Sequence, residues 1–125
     1  VEIVKATAGR DLDAIFVCCG GGGMLAGIAA YVKSVRPDVR VIGVEAEDAA
    51  GMTASLCEGK VVTLNHVGLF ADGAAVRKIG TETFRVCSEL VDEMVTVSTC
   101  DITLRILVLE INSESNLGHY EHRHR

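Results

Sequence analysis

The sequence has no surplus of basic residues: 17 acidic residues outnumber 12 lysines and arginines, and the formal net charge is −5. A nucleic-acid-binding face needs clustered Lys and Arg, and the one basic cluster is the short C-terminal His-Tyr-Glu-His-Arg-His-Arg. We therefore expect no nucleic-acid partner. Apolar runs are also short of the roughly 20 residues that a membrane-spanning helix requires, so we expect no membrane segment.

Cysteine pairs of the C-x-x-C type are absent, which argues against a zinc site. The odd number of cysteines and their scattered spacing are atypical of a disulfide scaffold, and we expect buried free thiols in a reducing compartment. The five are Cys18, Cys19, Cys57, Cys87 and Cys100. Three histidines, His119, His122 and His124, match no common metal-site spacing and lie in a polar tail that we expect to be disordered. We predict no metal site.

What the chain does have is enough apolar sequence for a core: 49% hydrophobic and 23% charged residues in 125 positions, typical of one modest globular domain. Asp13–Cys19 is a short, continuous apolar run that predicts a buried strand. Apolar residues then recur at helical spacing up to Pro37, and Val39–Val44 predicts a second strand. The helical positions are Leu25, Ile28, Ala29, Val32 and Val35.

The remaining pattern continues this alternation of strands and helices. It predicts a short helix at Met52–Cys57 closed by Gly59, a small strand at Val61–Leu64 and a loop at Gly68–Gly73. A helix at Gly80–Asp92 should follow, with Phe84, Cys87 and Val91 on one face, and then a strand at Met94–Ser98. A capping box at Ser98-x-x-Asp101 predicts the start of a further helix. Alternating elements of this kind indicate an α/β fold with a parallel sheet built from β-α-β units.

Four consecutive glycines, Gly20–Gly23, lie between the first predicted strand and its helix. The N-terminus of a helix carries unpaired backbone N–H groups and a partial positive charge. Glycines leave those groups open to a phosphate, at the carboxyl end of the strand where ligands of α/β folds bind. The placement predicts a phosphate site rather than a plain flexible turn.

The glycines alone do not say which phosphate binds. Gly21-x-Gly23-x-x-Ala26 also matches a variant of the dinucleotide fingerprint. Glu45 ends the next predicted strand, where a Rossmann fold keeps its ribose-binding acid. An NAD(P)-binding Rossmann unit is therefore an alternative.

Four segments follow one another in an order and at a spacing typical of one enzyme family: Val17–Ala29, Val41–Asp48, Val67–Val76 and Gly80–Cys87. Through them the sequence resembles threonine dehydratase and its relatives among the fold-type-II pyridoxal-phosphate (PLP) enzymes. The third segment is especially similar to the biosynthetic threonine dehydratases. The resemblance implies a partial PLP-binding catalytic domain at residues 1–103, followed by a divergent tail at residues 104–125.

The resemblance also implies roles at matching positions. The cofactor phosphate would be held by the backbone amides of Gly20, Gly21, Gly22, Gly23 and Met24. Gly73 matches a residue that lines the cofactor ring, where a side chain would crowd it, and a simple loop turn is an equal alternative for this glycine. Glu45 matches a divalent-cation ligand of serine-racemase-like relatives. The second acid of that site corresponds here to Gly51, and we expect Glu45 to be a solvated acid at the end of its strand.

Other parts of the family pattern are missing. Relatives attach the cofactor to a lysine in a Ser-Phe-Lys-like motif, and Lys5, Lys33, Lys60 and Lys78 all lie in other contexts, typical of solvated surface lysines. The first residues are typical of the last turns of a helix. We expect a fragment of an enzyme with no catalytic residue of its own, inactive alone.

For the whole enzyme the resemblance implies conversion of L-threonine to 2-oxobutanoate and ammonia in isoleucine biosynthesis, with an amino-acid substrate and a homo-oligomeric assembly. The compartment would be the cytoplasm in a bacterium and the plastid in a plant or alga. Two alternatives remain besides NAD(P) binding. One is a serine dehydratase or serine racemase relative, and the other is a remnant that no longer folds stably because of open sheet edges.

Overall fold

The computed structural model describes residues 1–9, 11–68 and 70–104 and contains one three-stranded parallel sheet. The strands are β1 (Ala14–Cys18), β2 (Arg40–Ala46) and β3 (Glu93–Val97), with β2 in the centre. The register aligns Val17 with Gly43, and Gly43 with Met94. This arrangement confirms the predicted α/β fold with a parallel sheet.

In the described part of the chain up to β3, the helices are α1 (Glu2–Ala6), α2 (Gly23–Val35), α3 (Gly51–Glu58) and α4 (Thr81–Leu90). Short 3-10 turns lie at Glu47–Ala49 and Asp72–Ala74. Residues 99–104 are helical as well. None of the helices among the described residues has the length and apolar character needed to cross a membrane.

The ends of two helices confirm the local sequence signals. Gly59 closes α3 in the left-handed conformation, with φ +67°, as glycine does at many helix ends. Ser98 and Asp101 form the predicted capping box. The Asp101 amide donates to Ser98 Oγ (3.2 Å), and the Ser98 amide and hydroxyl donate to Asp101 Oδ2 (3.2 and 2.7 Å).

The core lies on one face of the sheet, where α2 packs against β1, β2 and α4. Its buried members are Ile15, Val17, Cys19, Leu25, Ala26, Ala29, Val32, Val39, Val41, Met52, Ile79 and Cys87. Val35, predicted on the buried face of α2, is instead 45% exposed, because it lies at the end of the helix. Phe16, on the opposite face of β1, is 66% exposed.

The sequence pattern at Val61–Leu64 does not form a strand. Only an isolated antiparallel bridge joins Thr63 to Lys78, with the Leu64 amide donating to the Arg77 carbonyl (2.8 Å). The segment has no partner long enough for a ladder among the described residues, so the prediction of a strand was wrong. The predicted disordered tail and its three histidines fall in residues 105–125, outside the described residues.

Lys33 is not the solvated lysine that its context suggested. Its ammonium is paired with Asp92 Oδ2 (2.7 Å) and donates to the Val39 carbonyl (2.9 Å). Asp92 also accepts a hydrogen bond from the Val41 amide (2.6 Å). Lys33 therefore ties the last turns of α2 to the amino-terminal edge of the sheet.

Candidate functional site

The glycine segment turns the chain from β1 into α2 at the carboxyl edge of the sheet. The Cys19 amide still bonds to the Val44 carbonyl (2.8 Å), so the ladder continues to the first glycine. Gly22 is the N-cap of α2 and has φ +89°, a left-handed conformation that L side chains disfavour. The structure therefore contains the predicted arrangement, in which a strand leads through glycines into the N-terminus of a helix.

Within residues 1–9, 11–68 and 70–104, the backbone amides of Gly20–Met24 donate no hydrogen bond. They lie at the N-terminus of a 13-residue helix, the end that carries partial positive charge. A Cβ atom placed on Gly21 or Gly23 would meet nothing within 4 Å. Free donors, positive potential and open space are what an anionic group such as a phosphate requires, so the local geometry fits one.

The turn that contains Gly73 lies against this glycine segment. A Cβ on Gly20 would come within 3.2 Å of Ala74 Cα, so the two backbones touch. Asp72 forms the turn by accepting a hydrogen bond from the Gly73 amide (2.7 Å). Gly73 itself is exposed, and a side chain there would contact no part of the described chain. The structure thus brings Gly73 to the neighbourhood of Gly20.

Two residues that support the glycine segment were not identified from the sequence. The Thr83 hydroxyl lies 2.9 Å from the Gly21 carbonyl oxygen and 2.8 Å from that of Gly80, so it joins the start of α4 to the segment. Met52, fully buried, reaches to within 2.6 Å of a Cβ built on Gly22. Thr83 belongs to the Gly80–Cys87 motif, which was the available signal.

Glu45 is the residue whose environment differs most from the one predicted. It is 1% exposed rather than solvated. Its carboxylate accepts hydrogen bonds from the Met52 amide (2.8 Å), the Thr53 amide (2.9 Å) and the Thr53 hydroxyl (2.7 Å). The prediction of a solvated acid was wrong because α3 folds back over the end of β2 and presents its N-terminal amides to the carboxylate.

These contacts also bear on the other roles considered for Glu45. Both of its oxygens are engaged by α3, which leaves the carboxylate unsuited to a ribose hydroxyl. The described residues include no group of three or more His, Cys, Asp and Glu side chains placed to hold a metal ion. His66, in the loop before Val67, is exposed.

Only two of the five cysteines are buried, Cys19 and Cys87, whereas Cys18, Cys57 and Cys100 are exposed free thiols. The prediction of buried thiols was therefore wrong for three. Alternation along β1 places Cys18 and Cys19 on opposite faces. Burial, with a smaller contribution from the Glu45 charge, raises the pKa of Cys19 to about 12 and that of Cys87 to about 11.

The buried thiols predict a loss of stability in alkali. An unfolded chain releases these protons near pH 9 while the folded chain keeps them, so stability falls as the pH rises from about 9 toward 11–12. At pH 10 the two thiols together should lower the unfolding free energy by roughly 2–3 kcal/mol relative to neutral pH. Urea unfolding of wild type and of the Cys19→Ala/Cys87→Ala variant at both pH values measures this difference.

The matched control removes exposed thiols instead, as Cys18→Ala/Cys57→Ala. It should keep the full alkaline loss, whereas the buried-thiol variant should show less of it. Equal alkaline losses in the two variants would contradict the assignment to Cys19 and Cys87.

Comparison with known proteins gives the family. The model of the family described as pyridoxal-phosphate dependent enzyme matches residues 1–110. The chain is 57% identical over 99 residues to the L-threonine dehydratase biosynthetic IlvA of Burkholderia multivorans, covering 79% of this chain and 19% of that protein. It is 53% identical over 98 residues to the chloroplastic biosynthetic threonine dehydratase of Arabidopsis thaliana, covering 78% of this chain and 16% of that protein.

The fold agrees with the sequence match. The processed form of threonine deaminase isoform 2 from Solanum lycopersicum superposes with a TM-score of 0.75 at 46% identity, covering 78% of this chain and 28% of that one. The chain spans about one fifth of the length of the curated relatives it matches. With a family match over residues 1–110, the resemblance to threonine dehydratases is confirmed, and the chain belongs to the family of pyridoxal-phosphate dependent enzymes.

Proposed function

We propose that this chain supplies the phosphate-binding part of a PLP-dependent threonine dehydratase, with the amides of Gly20–Met24 as the phosphate ligands. The observation that carries the proposal is the row of amides at the N-terminus of α2 that have no partner among the described residues, with open space beside Gly21 and Gly23. The family is one of PLP enzymes, and the relatives are threonine dehydratases. When bound, PLP supplies the electron sink for removal of the substrate α-proton and loss of its β-hydroxyl.

The chain's own residues would act by binding and positioning. The glycine amides would bind the phosphate without desolvating a side chain, and Thr83 and Met52 would hold them in place from behind. Gly73, in the turn against Gly20, would leave room for the cofactor ring. The lysine that carries the cofactor in relatives would come from outside this sequence, and residues 1–103 would form one part of the catalytic domain.

The substrate class, assembly and compartment are part of the same proposal. The substrate would be an amino acid, L-threonine, and the products 2-oxobutanoate and ammonia, as in isoleucine biosynthesis. The full-length protein would be a homo-oligomer. Its compartment would follow its source, because one relative is named chloroplastic.

Binding of a PLP analogue tests the proposal. The probe is 4′-deoxypyridoxine 5′-phosphate, which lacks the aldehyde and cannot condense with surface lysines. We expect it to shift the ¹H–¹⁵N resonances of Gly20–Met24 in a saturable way, because the phosphate accepts hydrogen bonds from these amides. The same chain should produce no 2-oxobutanoate from L-threonine with PLP added.

Three comparisons make that experiment specific. Unphosphorylated 4′-deoxypyridoxine should not shift the glycine resonances, inorganic phosphate should compete, and NAD should leave them unchanged. Equal binding of the phosphorylated and unphosphorylated probes would overturn the phosphate site. Turnover of threonine by the chain would show that the expected absence of a catalytic lysine is wrong.

A further inference from the structure

We infer that Glu45 is a positioning residue for the glycine segment and acts on it through α3 and Met52. The inference rests on the proposed function only for the identity of the ligand, because the contacts that carry it lie within the chain. Its starting point is the position of Glu45 at the carboxyl end of β2, the strand next to the one that leads into the glycines.

The first step joins Glu45 to α3. The carboxylate is buried and takes three hydrogen bonds from the first turn of that helix, all between 2.7 and 2.9 Å. Ala50, the N-cap of α3, makes no side-chain capping hydrogen bond of its own. A buried charge with three donors resists displacement, because removing them would leave it unsatisfied. Glu45 therefore fixes where the first turn of α3 begins.

The second step joins α3 to the glycine segment. Met52, whose amide is bound by Glu45, is fully buried, and its Cε lies against the backbone of Gly22. Gly22 is the N-cap of α2, so its conformation sets the direction of the amides that follow. A shift of the first turn of α3 would reach those amides through one side chain. Close packing transmits such shifts because the core contains little free space.

Glu45→Gln tests the inference, since it keeps the shape of the side chain and removes the charge and one acceptor. Without ligand, we expect the ¹H–¹⁵N resonances of Gly22–Met24 and the Met52 methyl resonance to move. Affinity for 4′-deoxypyridoxine 5′-phosphate should fall by about tenfold, the order expected for losing one charge-assisted hydrogen bond behind the site.

Asp92→Asn is the matched control. Asp92 also accepts a backbone hydrogen bond, from the Val41 amide, and forms an ion pair with Lys33, but it lies at the amino-terminal edge of the sheet. It should lower thermal stability while leaving the glycine resonances and the probe affinity unchanged. Thr53→Ser, which retains the hydroxyl donor to Glu45, should behave as wild type, whereas Thr53→Val should shift the glycine resonances in the same direction as Glu45→Gln.

A double-mutant cycle tests whether Glu45 acts on the glycine segment through Met52. If the effect passes through Met52, the loss of probe-binding free energy in Glu45→Gln/Met52→Leu should be smaller than the sum of the losses in the two single variants. Unmoved glycine resonances in Glu45→Gln, or full additivity in the cycle, would overturn the inference. A wild-type chain that does not bind the probe would refute the proposed function instead, and the ligand-free resonances would still decide the role of Glu45.

Discussion

Gly22→Ala is expected to lower the unfolding free energy by about 3 kcal/mol and to abolish measurable phosphate binding by the chain. Two costs add in the folded state. An L side chain at φ +89° is strained, and its Cβ would approach Met52 Cε to 2.6 Å and Thr83 Cβ to 3.1 Å. Both neighbours hold the glycine segment, so relief of the clash would displace the amides of Gly23 and Met24.

Urea unfolding and titration with 4′-deoxypyridoxine 5′-phosphate measure the two effects. Gly27→Ala is the control within the same helix: a Cβ there meets nothing within 4 Å, and alanine is the better helix former, so stability should stay equal or rise by about 0.5–1 kcal/mol. If the Gly22→Ala chain were as stable as the Gly27→Ala chain, the left-handed conformation of Gly22 and its contact with Met52 would not contribute to the stability of the fold.

Gly43→Ala is expected to lower the unfolding free energy by about 2 kcal/mol, because the centre of the sheet has no room for a methyl group. Gly43 lies on β2, and a Cβ would come within 2.8 Å of Leu25 Cδ2 and would also clash with Met94 Sδ. Leu25 is fully buried in the first turn of α2. The added methyl would therefore push the N-terminal end of α2 away from the sheet.

The variant Gly43→Ala/Met94→Ala separates the two contacts. Compared with Met94→Ala alone, the change at Gly43 should still destabilise the chain, because the contact with Leu25 remains. Thermal denaturation followed by circular dichroism gives both differences. A Gly43→Ala chain within about 0.5 kcal/mol of wild type, the range of ordinary surface changes, would contradict the tight packing of α2 on β2.

The local pattern of the sequence was sufficient for most of the elements. The apolar run before Gly20, the helical spacing before Pro37 and the capping box at Ser98 each depend on neighbours a few residues away, and each element formed where predicted. Val61–Leu64 failed because a strand needs a partner. Short-range pattern cannot reveal whether one is available.

By itself, the sequence determined that a strand runs through four glycines into a helix, an arrangement that leaves backbone amides free to attract an anion. Only the tertiary structure decided what Glu45 does, because the donors that bury its charge come from α3, seven and eight residues further along the chain. The same holds for Thr83, whose hydroxyl reaches the Gly21 carbonyl from 62 residues away. Whether a polar side chain is solvated or engaged depends on which helix packs over it, and that is a property of the folded chain rather than of local sequence.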